Sequence, residues 1–178
     1  MGNFISVCTD EPEKIAAIVA SKDRSQIEVV VEANPRIARE QEVRQCLARL
    51  VDGDFLPGEA PDGAQFVYAF QATCEAVAAD KTTVEIYVDE DMFPEIWNFV
   101  WGAAEAPQGL PMSEFGSPAV GYWDALNVSR QILVLERLDF AALKSRADNS
   151  YREEVAGIVD VLKSAAERER GVFVFFNE

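Results

Sequence analysis

Polar and apolar residues alternate over residues 3–9, with Phe4, Ser6 and Cys8 on one side and Ile5 and Val7 on the other, the two-residue period of a strand. Thr9 or Asp10 then caps a helix, with Pro12 in its first turn and Glu11 and Glu13 beside its positive end. Ile15, Ile18 and Val19 form the buried stripe. Residues 23–33 read as a second helix, against the strand preference of Val29, Val30 and Val31. Asn34 and Pro35 restart the chain as cap and first helical residue, and Ile37, Val43, Cys46, Leu47 and Leu50 recur at helical spacing up to Gly53. Glu40 and Arg44, four apart, are expected to pair on its wet side. Glycines and prolines mark residues 52–63 as a loop, and a fourth helix carries Phe66, Phe70, Cys74 and Val77 on one face, ending near Asp80 and Lys81.

Residues 82–89 set Val84, Ile86 and Val88 against Thr83, Glu85 and Tyr87, a strand wetted on one face. Phe93 and Pro94 open a short helix through Ala104 with Ile96, Trp97, Val100 and Trp101, after which Pro107, Gly109, Pro111, Gly116 and Pro118 forbid regular structure. Residues 119–123 form a short apolar strand, and residues 127–138 a helix with Val128, Ile132, Leu135 and Leu138 inward. Asp148, Asn149 or Ser150 caps the most regular helix, where Tyr151, Val155, Ile158, Val159, Leu162 and Ala166 keep a 3.6-residue period to Arg170; Gly171 stops it. The apolar run 172–176 predicts a strand in the middle of the sheet, and the first and last strands are expected to pair. The pattern predicts one α+β domain over 1–178. It is a small mixed sheet of about four strands, the N- and C-terminal ones included, covered by several helices.

Composition narrows the function classes. The chain has 178 residues, 49% of them apolar, enough for a core; 16 Lys and Arg face 31 Asp and Glu, a net charge of −15. Such a surface repels phosphate backbones and anionic lipid, so neither nucleic acid nor membrane is an expected partner. A duplex-mimicking inhibitor fits the charge, but solubility accounts for it as well. No histidine occurs, which removes histidine-based zinc sites, Ser-His and Cys-His nucleophiles and histidine acid–base steps. Cys8, Cys46 and Cys74 are odd in number and lack a CxxC pair; with no membrane-length apolar run and no secretory signal, a cytoplasmic location is expected. The first six residues match a myristoylation pattern, set against their strand alternation and the lack of a polybasic second anchor.

Candidate chemistry is sparse. The chain holds no GxxxxGK[ST] run, no GxGxxG turn and no GxSxG elbow. Asp89, Glu90 and Asp91 offer oxygen ligands for a hard cation, but acids between a strand and a helix are expected as turn and cap residues, so no metal site and no cofactor are expected. Asp52-Gly53-Asp54 is explained as a turn. Paired carboxylates can hydrolyse glycosides without histidine, yet nothing in the sequence places two of these acids across a cleft. The aromatic residues are the most specific candidates: Trp97 and Trp101 share a helical face, and Tyr122, Trp123 and Asp124 follow the glycine- and proline-rich loop. They are the candidate binding residues, with core packing the stronger rival. Asn127-Val128-Ser129 matches a glycosylation sequon, relevant only to a secreted protein.

The opening Gly2-Asn3-Phe4-Ile5-Ser6-Val7, the step Val120-Gly121-Tyr122-Trp123 and the ending Arg170-Gly171-Val172-Phe173-Val174-Phe175-Phe176 resemble uncharacterised bacterial proteins of unknown function, loosely YfbM-like. The resemblance implies a bacterial cytoplasmic protein of mixed α/β fold and transfers no activity to any residue. The functional expectation is a non-enzymatic binding protein, an inhibitor or immunity-type partner of a basic protein. The alternative is a small-molecule-binding protein or histidine-free hydrolase with an aromatic and acidic pocket.

Overall fold

The computed structural model describes residues 3–55, 63–86, 94–102, 110, 119–140 and 149–177. In chain order the elements are β1 (Asn3–Thr9), α1 (Pro12–Ala16), α2 (Ser25–Ala33), a 3-10 turn (Ile37–Arg39), α3 (Gln41–Asp52), α4 (Ala64–Val77) and β2 (Lys81–Ile86). Then come α5 (Pro94–Trp101), β3 (Ala119–Trp123), α6 (Ala125–Leu135), α7 (Asn149–Glu167) and β4 (Val172–Asn177). The sheet order is β2-β1-β4-β3, and all three pairings are antiparallel, so the sheet is not mixed. The first and last strands pair at its centre, from Phe4 opposite Asn177 to Thr9 opposite Val172.

Strand periodicity divides the core in two. Ile5 and Val7 of β1 and Val172, Val174 and Phe176 of β4 point to one face, where α5, α6 and α7 supply Phe99, Val128, Leu135, Ile158 and Leu162. Cys8, Phe173 and Phe175 point to the other, against Ile15, Val30, Leu47, Phe66 and Phe70 of α1 to α4. The molecule is therefore a sheet between two helical layers, an α+β fold in which β4 must be apolar on both sides. Fully buried Phe99, not part of the expected stripe, stacks on Trp123.

Several local expectations change. The helix expected from Pro35 to Gly53 breaks at Glu40, whose φ of −104° and ψ of 89° are not helical. Asn34 looks backward instead of capping forward: its Nδ2 donates to the carbonyls of Val30 (3.2 Å) and Ala72 (3.0 Å). With Glu40 outside the helix, Arg44 pairs with Glu28 at 2.9 Å rather than with Glu40. Neither Thr9 nor Asp10 caps α1; Glu11 occupies that place without a side-chain bond. The α6 helix starts at Ala125, two residues early, because Asp124 accepts the amide of Asn127 at 2.7 Å. After α7 the chain reverses at Glu169, with φ of +54°, and not at Gly171. The segments 56–62, 87–93, 103–109, 111–118 and 141–148 lie outside the described residues, and with them most of both expected loops, the end of the β2 pattern, Asp89, Glu90, Asp91 and the cap at Asp148.

Candidate functional site

Polar side chains converge where β1 ends and β4 begins. Thr9, the last residue of β1, accepts the amides of Ala79 (3.0 Å) and Asp80 (3.2 Å) on its Oγ1, fixing the entry to β2. The amide of Asp10 donates to the Gly171 carbonyl at 2.9 Å, extending the β1–β4 ladder by one rung. Tyr122, near the end of β3, donates its hydroxyl to Asp10 Oδ2 at 2.9 Å. That reach explains Gly171: a Cβ there would lie 2.2 Å from the Tyr122 hydroxyl oxygen and 2.7 Å from the Trp123 carbonyl. Glycine is required for close approach and not for a left-handed turn.

Asp10 is only 5% exposed, and among the described residues its Oδ1 has no hydrogen-bond partner. Burial raises its pKa; the Tyr122 hydrogen bond and Arg170 pull it down, and Glu11 and Glu13 push it up again. The same pair raises Tyr122, through burial first and then the Asp10 charge. Around this pair runs an ion network. Arg168 lies 3.8 Å from Glu11 and also holds Asp80 and Ser164, Ser164 donates to Asp80 at 2.6 Å, and Arg170 lies 3.5 Å from Glu13. The Ser164 hydrogen bond, followed by Arg168, lowers the pKa of Asp80. Among the described residues no three carboxylates or cysteines converge on a metal position. Chemically this cluster ties the ends of β1, β2, β3 and β4 to α1 and α7.

An open polar groove lies elsewhere. A groove of about 530 Å³ runs between the start of α3 and the start of α4, lined by Glu40, Glu42, Gln45, Gln65 and Tyr68 over Val43. Among the described residues no cation lines it, and neither Glu40 nor Glu42 forms an ion pair. The break at Glu40 makes this possible, since Arg44, the one cation in that stretch of α3, is drawn to Glu28. Tyr68 is 37% exposed, a large side chain left on the wet side of α4 while Phe66 and Phe70 are fully buried. The arrangement offers two carboxylates, amides that both donate and accept, and an aromatic face, which together suit a cationic side chain. Tyr68 was legible as the one aromatic off the buried stripe of α4; the groove was not, because it depends on where α3 begins.

The five sequence candidates do not form one pocket. Trp97 and Trp101 are in contact, with ring centroids 5.7 Å apart, and Trp101 meets Phe176 edge-on at 5.1 Å. Trp123 is buried in the same layer, its Nε1 donating to the Phe99 carbonyl at 3.0 Å. Tyr122 lies on the opposite face of the sheet, against Phe173. Asp124 is the N-cap of α6.

A helix-covered antiparallel sheet, with an ion network at one end and an acidic groove on one layer, defines an α+β protein. The chain belongs to the family described as domain of unknown function DUF7691, whose model matches residues 1–177. No curated protein and no solved structure matches it. No helix among the described residues is long and apolar enough to cross a membrane.

Proposed function

We propose that this protein is a non-enzymatic binding protein that takes a basic protein partner, in the manner of an inhibitor or immunity-type protein, and that the groove between α3 and α4 receives a lysine or arginine of that partner. The observation that carries the reading is the groove itself: Glu40 and Glu42 stand unpaired beside exposed Tyr68 in a site with no cation among the described residues. A net charge of −15 would speed encounter with a basic surface, and the groove would fix where it docks. The pocket of a small-molecule-binding protein or hydrolase has less support, since Tyr122 and the three tryptophans face opposite sides of the sheet. The YfbM-like resemblance and its bacterial cytoplasmic setting belong to the same proposal, supported by three buried cysteines outside any disulfide.

The test is titration of the full chain with a fluorescent lysine- and arginine-rich peptide at two salt concentrations. Wild-type protein should bind and weaken with salt, and Glu40→Gln with Glu42→Gln should lose about tenfold in affinity, as should Tyr68→Ala. Neutralising Glu153 and Glu167, acids of α7 on the other layer, should change little. Equal losses from both pairs would reduce the effect to net charge and sink the groove.

A further inference from the structure

Seven large apolar side chains are exposed among the described residues, and three of them belong to α6. Leu126 is 69% exposed and Leu133 55%; seven residues apart, they lie on one line along the helix, flanked by Val134. The opposite side of α6 is committed to the core through Val128 and Leu135. Single exposed leucines are ordinary on protein surfaces, but a second apolar line on a helix that already has a buried one is not needed for folding. Arg130 lies between the two leucines and Arg137 in the turn that follows, so cation and leucine alternate along the outward face.

Charge identifies what would cover this face. Arg130 donates to Asn127 Oδ1 at 3.3 Å, and neither Arg130 nor Arg137 forms an ion pair with a described residue. The nearby carboxylates are already engaged: Asp124 caps the helix and Glu136 holds Lys163 at 2.7 Å. In a chain with about twice as many acids as bases, this apolar line carries two arginines and no carboxylate. We propose that the outward face of α6 docks an amphipathic helix of another protein whose leucine-type residues are flanked by carboxylates. A second copy of this chain, laid symmetrically on the same face, brings arginines and no carboxylates. An anionic lipid surface is opposed by the net charge of the whole molecule. This surface shares no residue with the acidic groove and lies on the other helical layer. The protein would then join a basic partner on one side to an acidic helix on the other.

The experiment uses the full chain and a labelled helical peptide of about four turns with leucines at three- and four-residue spacing and glutamates beside them. Its control replaces every glutamate with lysine. Physiological salt, where screening acts over about 8 Å, keeps the distant acids from dominating. The acidic peptide should bind at least about tenfold more tightly than the lysine peptide, and Arg130→Glu and Leu133→Ser should each cost about tenfold while leaving the melting temperature within a degree or so. Glu40→Gln with Glu42→Gln should leave this binding unchanged, which separates it from the groove. The proposal is overturned if the two peptides bind alike, if binding survives both substitutions, or if the chain dimerises in a way that Leu133→Ser abolishes. Binding to phosphatidylserine vesicles in place of the peptide overturns it equally.

Discussion

Asp10 keeps one oxygen on the Tyr122 hydroxyl and the other without a described partner, so its protonation is tied to folding. Because burial raises its pKa in the folded state, the folded chain holds this proton more tightly than the unfolded chain does. The resulting stability is fully present below the unfolded value of about 3.9 and is lost as pH rises through the raised folded value. Asp10→Asn keeps a neutral side chain at every pH, so its stability relative to wild type should climb between acid and neutral pH in urea melts; a flat difference would mean that folding does not shift the pKa of Asp10. Tyr122→Phe, which strips the remaining partner, should cost about 1–3 kcal/mol. At this scale the sequence was legible in hydrophobic parity and obscure in polar contacts. The sides assigned to Ile5, Val7 and Cys8 are the observed ones, whereas Asp10 read as a helix cap because Tyr122, its partner, is over a hundred residues away.

Elements whose signal is carried by their own residues were readable, and elements whose limits depend on distant contacts were not. The run 172–176 predicted a central strand, and β4 is buried on both faces. The α2 helix forms over Val29, Val30 and Val31 since two of the three are packed against the layer beneath. The break before α3 could not be seen, because Asn34 is drawn to the carbonyl of Ala72 on α4. Asp124 entered as a binding residue through its neighbours, although its own chemistry is that of an N-cap. Asp124→Ala should therefore cost about 1 kcal/mol and lower the melting temperature by about 2–4 °C, with helix content otherwise retained. A loss well beyond that in circular-dichroism melts would assign Asp124 a further contact.

For the molecule as a whole, the core between the sheet and the α1–α4 layer buries all three cysteines, and Cys74 is pushed well above the ordinary thiol range by its burial and then by Cys8 beside it. None should react with a thiol reagent in the native state, and all three should become reactive over the same denaturant range as the loss of tryptophan signal; a fast native thiol would reveal a local opening of one layer. The α+β class and the pairing of the terminal strands were readable from pattern, while the two faces on which the functional proposals rest emerge only from packing. The pairing of β1 with β4 also has a consequence for biosynthesis. Joining Thr9 to Val172 closes a loop over every residue between them, at an entropic cost of about 4–5 kcal/mol, so the middle of the sheet can form only after all of that intervening chain has been made. On the ribosome β1 would have β2 as its sole sheet neighbour until the β4 segment has cleared the exit tunnel, its other edge a target for chaperones until then.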